Sequence, residues 1–395
     1  APRGVVIGHR VALMRDTANR LDIDCYKDIT ADCASYCDTL AICVNSLPIP
    51  RYQAAPAMKA PSVVVLDEAE QIVQQIADAK TMKKNVGSVT SRMIALVKTA
   101  DQVILADADL TPQTVAYFEK ILDCRATWYH FEPPQPDMQI EIIDYDRGIT
   151  QLEQDLQQKK VCLASDSLKA LRQLSRLVPP SKKLLLIHSE NTAGNDQQAF
   201  LSDPDATLAH YDTLMYSPTV GSGVSLTTPR FDCHYVVYSG TTAPTEIIQQ
   251  MRRDRNAKKI TVLLRNIQKN KHLPTDPAQI ALAIKLANQA EYCEGSLRFS
   301  AFDNLRIMTM AAHNVAMRDP QSALLALFKQ RGFTVTTDTK TQKNQALVKL
   351  LNNADATERQ HEIRTAEPLD AFTTAAIEAG QRGSTPEIAA RYEAA

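Results

Sequence analysis

Short apolar runs alternate with amphipathic stretches over the first two thirds of the chain. GVVIGH (4–9), LAICVNS (40–46), SVVVLDE (62–68) and QVILADAD (102–109) read as strands. They are too short for buried helices and are rich in β-branched residues. Segments 69–80 and 90–99 between them have helical spacing. After the turn-rich EPPQPD (132–137) a second series follows: QIEIIDY, VCLAS, KLLLIHS, TLMYS, HYVVYSG and KITVLL. Helical stretches over 167–177 and 245–255 interrupt it, with Asp166 and Thr245 at expected cap positions. Continuous apolar strands separated by helices predict a parallel sheet covered on both faces. The pattern predicts two α/β lobes with a seam near residues 133–150.

The period changes toward the C-terminus. Segments 276–293, 303–317 and 320–331 have helical periodicity, and the polar, Ala-rich stretch 340–395 is expected to be helical. The expected organisation is a first lobe over 1–135, a second over 136–270 and a mostly helical accessory region over 271–395.

Composition narrows the class. Apolar residues make up 44% and charged residues 23% of the 395, as in ordinary globular proteins. No apolar run reaches the roughly 18 residues that would cross a bilayer. The net charge of −1 gives no global basic footprint for nucleic acid. One local exception is 252–271, where eight Lys and Arg residues face a single acid, Asp254. The eight cysteines form no C-x-x-C, which removes zinc-ribbon and thioredoxin readings. Cys33 and Cys37 are expected to be reduced core thiols, and the chain to be cytoplasmic. Trp128 and Tyr129 could stack on bases, but a core strand is the preferred reading.

Chemistry enters at the exit of the run 63–66. Two carboxylates, Asp67 and Glu68, follow it directly. Ligands of open parallel sheets sit at the carboxyl ends of the strands, and acids there suit a Mg²⁺-bound nucleotide. The plain alternative is a helix whose first turn carries acids, which the macrodipole favours. QVILADAD also ends in acids, Asp107 and Asp109. Further along, HYDTLMYSPTVGSGVSL (210–226) carries Gly221 and Gly223, which would let backbone amides approach an anion. QQMRRDRNA (249–257) then places Arg253 and Arg255 on an expected helix.

In this order the segments resemble the two RecA-like lobes of superfamily 2 helicases. They are most similar to the origin-of-replication-binding and cyanobacterial plasmid replication families. VVIGHRVALMRDTANRL (5–21) resembles motif Ia, LAICVNSL (40–47) motif Ib, and VVVLDEAEQ motif II with Asp67 and Glu68 as its Walker B pair. VILADADL (103–110) stands where motif III stands but lacks its Ser-Ala-Thr form. VCLASDSL (161–168) resembles motif IV and YSPTVGSGVSL (216–226) motif V. QQMRRDR (249–255) is similar to the Q-x-x-G-R-x-R of motif VI, with Gln249, Arg253 and Arg255 matching and Arg252 replacing the glycine.

The resemblance implies an ATP-dependent DNA helicase or translocase of plasmid or viral-type replication initiation, with ATP and Mg²⁺ as cofactors and a single DNA strand as partner. Asp67 would hold the metal, Glu68 would polarise the lytic water, and Gln249, Arg253 and Arg255 would complete the site. Gly221 and Gly223 would touch phosphate. His9, Arg10, Asn45, Ser46, Ser165, Ser167 and Thr219 would grip the strand. The family's P-loop precedes motif Ia, and no G-x-x-x-x-G-K-[ST] occurs here. The 395 residues alone are therefore expected to bind ATP weakly. The alternative is a nucleotide-free two-lobe scaffold that binds DNA or another protein. A Rossmann dehydrogenase is a poor fit, because no G-x-G-x-x-G follows a strand.

Overall fold

The structure is a computed structural model and describes residues 3–30, 33–77, 82, 85–131, 138–220, 224–289 and 301–365. It divides into two compact units. One contains Ala1–Pro134, Gly221–Ser225 and Gln268–Leu324; the other contains Gln135–Val220, Leu226–Ile267 and Leu325–Ala395.

The first unit is built on β1 (Gly4–Gly8), β2 (Asp24–Cys25), β3 (Thr39–Cys43), β4 (Val63–Asp67) and β5 (Gln102–Ala106). Their order is β2-β3-β1-β4-β5, and every pairing is parallel. Val5, Ile7, Leu40, Ile42, Val64 and Leu66 are fully buried, as expected for a sheet covered on both faces. The longer helices between and after these strands are α1 (Val11–Leu21), α2 (Ala69–Ala77), α3 (Val86–Thr99) and α4 (Pro112–Leu122). α1 buries Leu13, Met14 and Ala18. It follows β1 so tightly that a Cβ on Gly8 would run into the Met14 and Leu13 side chains. A larger residue there would require the Met14 side chain to shift.

The second unit carries seven parallel strands: β6 (Gln139–Asp144), β7 (Val161–Ser165), β8 (Leu184–Ile187), β9 (Thr213–Tyr216), β10 (Cys233–Tyr238), β11 (Lys259–Leu264) and β12 (Thr334–Asp338). They lie in the order β12-β6-β11-β10-β7-β9-β8. α5 (Tyr145–Gln158), α6 (Leu168–Ser175), α7 (Asn195–Ser202) and α8 (Pro244–Met251) connect them. Two parallel-sheet α/β domains are thus present.

Residues beyond 270 are shared between the units. α9 (Pro277–Gln289) packs on α10 (Ala301–Arg318), which covers α2 and α4. Phe302 and Leu305 join the first core, and Arg306 Nε donates to the Ala77 carbonyl at 3.1 Å. α11 (Pro320–Gln330) leads into β12, which extends the second sheet beside β6. α12 (Gln345–Thr365) then packs on α5 and α6, burying Leu351.

Several local expectations are corrected. β12 lies between two expected helices of the mostly helical C-terminal region, where no strand was expected. Its outer face is largely exposed and has weak apolar alternation, so pairing with β6 decides its state. Asp166 does not cap the helix after β7. Ser167 does, accepting from Ala170 N at 3.2 Å, while the buried Asp166 accepts from the Ser239 and Thr241 amides at 2.7 and 2.6 Å. α8 begins at Pro244 with no side-chain cap, so Thr245 does not cap it either. Trp128 and Tyr129 are not in a strand; they are 55% and 79% exposed, in irregular chain after α4. Cys37 is buried as expected, but Cys33 is exposed. Among the described residues no helix is long and apolar enough to cross a membrane.

Candidate functional site

Neighbouring strands of the first unit end together, and their exits gather the acids. Ile7 of β1 lies opposite Leu66 of β4, and Asp67 lies opposite Ala106 of β5. His9, Asp67, Glu68 and Asp107 therefore emerge from three adjacent strands at one end of the sheet. Thr17 of α1 reaches the same place and donates to Asp67 Oδ2 at 3.4 Å. Burial pushes the Asp67 carboxyl above its ordinary range, partly offset by Thr17 and Arg20. A carboxylate held this way gains from a nearby cation.

Glu68 leaves the strand with φ 59°, a left-handed conformation uncommon outside glycine, asparagine and aspartate. Its carbonyl accepts from Ile72 N at 3.0 Å and so opens α2. Its Oε2 lies 3.3 Å from Nδ1 of His9, whose side chain is 7% exposed against 25% for Glu68. Asp107 fastens the next turn. Its Oδ2 accepts from Glu70 N at 2.9 Å and its Oδ1 from Asp109 N at 2.7 Å. Burial pushes Asp107 up to about 6 despite these bonds. The buried Glu70 accepts from Thr111 N at 2.7 Å. Thr17 and Glu70 escaped sequence reasoning, since neither stands in a recognisable spacing.

Among the described residues no group of three or more His, Cys, Asp or Glu could hold a metal ion. One carboxylate suffices where Mg²⁺ keeps its waters and binds substrate phosphates. Asp67 fits that mode. A phosphate-cradling loop is a different matter, because the 395 residues contain no G-x-x-x-x-G-K-[ST].

The second unit presents its arginines otherwise than expected. α8, which carries Gln249, ends at Met251 with Arg252 as its C-cap. Arg253 and Arg255 therefore lie beyond the helix. They flank Asp254, which forms a parallel bridge with Leu226. Leu226 N donates to the Arg253 carbonyl at 2.8 Å, and Arg255 N donates to the Leu226 carbonyl at 3.0 Å. The segments resembling motifs V and VI are thus joined through backbone. Asp254 is 3% exposed. It takes a 2.8 Å contact from His234 Nε2 and a 2.8 Å bond from Asn256 N. Burial pushes its carboxyl up, but His234 and Asn256 outweigh it and hold Asp254 below the ordinary range. Burial, together with Arg255 and Arg331, holds the Arg252 guanidinium below its usual value. An anion would relieve that crowding.

The expected strand-gripping residues divide. Arg10 is half-buried at the start of α1, and Asn45 is exposed with its side chain bonded to Gln75 at 2.6 Å. Ser46 is half-buried at the end of a 3₁₀ turn, Val44–Ser46. Thr219 is half-buried and closes a hydroxyl turn with Ser217 at 3.0 Å. Ser167 accepts at its hydroxyl oxygen from Ala170 N in capping α6. Ser165 is fully buried and donates to the Val237 carbonyl at 2.8 Å, so its hydroxyl serves the sheet. His9 is turned inward onto Glu68. Gly221 and Gly223 lie outside the described residues.

No family model matches the chain. It is 25% identical over 233 residues to a putative helicase/primase complex protein of African swine fever virus (isolate Pig/Kenya/KEN-50/1950), covering 57% of this chain and 22% of the viral protein. It is 25% identical over 280 residues to an uncharacterized protein of Picosynechococcus, covering 64% of this chain and 28% of that protein. The chain thus spans about a quarter of the length of these curated relatives. Among solved structures it is similar to S. cerevisiae Dbp5 bound to RNA and ADP BeF3, at 13% identity and TM-score 0.48, over 79% of this chain and 82% of that one. It is also similar to the DUF1998 helicase MrfA bound to DNA, at 10% identity and TM-score 0.46, over 83% of this chain and 52% of that one. At scores below 0.5 neither likeness bears on function.

Proposed function

We propose that the chain is part of an ATP-dependent nucleic-acid helicase or translocase acting in plasmid or viral-type DNA replication initiation. The observation that carries this reading is the exit of β4. Asp67 and Glu68 leave a central parallel strand between the ends of β1 and β5, with Glu68 in a left-handed conformation. The similarity to a viral protein named as a putative helicase/primase component supports it, as does the bridge that ties Leu226 to the arginine segment.

In this reading Asp67 would hold Mg²⁺, and the metal would neutralise phosphate charge on ATP. Glu68 orients and polarises the lytic water. Asp107 keeps Glu68 in register by fixing the first turn of α2. Arg253, with Arg255, neutralises charge on the γ-phosphate, and Gln249 stands four positions earlier, in the last turn of α8. Arg10, Asn45, Ser46, Ser167 and Thr219 are proposed to meet a DNA strand through its phosphates, since their hydroxyl, amide and guanidinium groups suit backbone contact rather than base readout.

Glu68→Gln in the complete natural protein tests the assignment. DNA-stimulated ATP turnover should vanish while nucleotide binding persists. Unchanged turnover removes Glu68 from the role assigned to it, whereas an unaltered protein with no DNA-stimulated turnover leaves the nucleotide-free scaffold.

A further inference from the structure

Among the described non-glycine residues four have positive φ: Asp22, Glu68, Asp123 and Asn266. Three are Asp or Asn, which tolerate the left-handed region through their short polar side chains. Glu68 has no such excuse. Strained backbone persists where the surroundings over-determine it, and such places tend to be functional.

The surroundings of Glu68 can be named. Asp67 before it is held in β4 against β5, and Glu70 after it is tied by its amide to Asp107. Its own carbonyl is taken by Ile72 N. The backbone is thus pinned on both sides, and only the side chain has freedom left. The 3.3 Å pairing of Oε2 with His9 Nδ1 removes much of that freedom. His9 cannot easily yield, because its side chain is 7% exposed at the end of β1, hydrogen-bonded beside β4. Its neighbour Arg10 starts α1, so His9 lies between a candidate DNA contact and the acid at the β4 exit.

We propose that His9 is a positioning residue: it aims the Glu68 carboxylate at the lytic water and does not itself touch nucleic acid. This rests on the function proposed above. His9 acts through Glu68, and its imidazole takes no part in bond making.

The test compares His9→Ala, His9→Asn and His9→Gln with Glu68→Gln in the complete natural protein. An Asn side-chain amide nitrogen can stand near the position of Nδ1, 3.3 Å from Glu68 Oε2, whereas Gln places its amide farther out. His9→Ala should lower kcat for ATP at saturating DNA at least about 10-fold, a fraction of the ~10²–10⁴ that a positioned proton acceptor supplies. KM for ATP, and the Kd for a fluorescent single-stranded oligonucleotide, should stay within about 2-fold, since neither depends on the aim of Glu68. His9→Asn should recover most of kcat and His9→Gln should not. If His9→Ala does not fold, the Asn and Gln pair decides alone. Equal kcat for all three His9 variants and the unaltered protein, with Glu68→Gln inactive, overturns the inference and leaves the proposed function standing. Weakened oligonucleotide binding with kcat intact also overturns it. An active Glu68→Gln instead removes Glu68 from the role assigned to it, and the inference with it.

Discussion

Leu226 and Asp254 face each other in a parallel bridge, 28 positions apart in the sequence, and the backbone of Leu226 bonds to both residues that flank Asp254. The arginines on either side of Asp254 therefore depend on a segment that precedes β10. Two stretches that read as separate motifs form one backbone unit, and Asp254 is its buried anchor.

Asp254→Asn should lower the melting temperature near neutral pH. Losing the charge weakens the contacts to His234 and Asn256, at about 1.5–3 kcal/mol for hydrogen bonds to a charged group. The folded carboxyl is held below the ordinary range, so its stabilisation is present above the unfolded value of about 3.9 and is lost as pH falls below it. Thermal scans at pH 7 and pH 3 should show a large deficit for the variant at the first and a small one at the second.

Arg253→Ala should reduce ATP turnover of the complete natural protein by about 10³–10⁵, the range seen for arginine fingers, with nucleotide affinity little changed. Single-turnover kinetics beside equilibrium nucleotide binding checks it. Turnover within a few-fold of the unaltered protein would remove Arg253 from the assigned role.

Asp107→Asn should alter how stability depends on pH. The folded carboxyl is raised to about 6 by burial, so its contribution is fully present below the unfolded value of about 3.9 and is lost as pH rises through 6. The asparagine does not titrate, and it can accept only through its single oxygen. The unaltered protein should therefore hold its greatest advantage near pH 4 and lose ground to the variant by pH 7. Denaturant midpoints at both pH values give the measurement.

Gly8→Ala should destabilise the first unit by about 1–3 kcal/mol, as overpacking does, because the new methyl meets Met14 and Leu13. Met14→Ala, itself the truncation of a fully buried side chain, should cost less in the Gly8→Ala background than alone. The two effects should therefore be non-additive, as expected for residues in contact. Additive effects in a double-mutant cycle would refute the contact.

Much of the architecture was legible because its signals are local. GVVIG, TLAIC and VVVLD are runs whose length and branching suit covered parallel strands, and they form β1, β3 and β4. The same locality exposed Asp67 and Glu68 at a strand exit. Where the local signal was thin, reading failed. TVTTD has little apolar alternation and becomes β12 only because β6 offers an unpaired edge.

From the order of residues alone came the alternation of strands and helices, two parallel α/β domains, and acids at the carboxyl end of a central strand. The tertiary structure alone decided that His9 turns inward to Glu68, that Asp107 holds Glu70, and that Leu226 clasps the arginine segment. The physical reason is separation along the chain. Periodicity reports the face a residue presents to its own element, whereas these partners stand 59, 37 and 28 positions apart and meet only when sheet register sets the strand ends side by side.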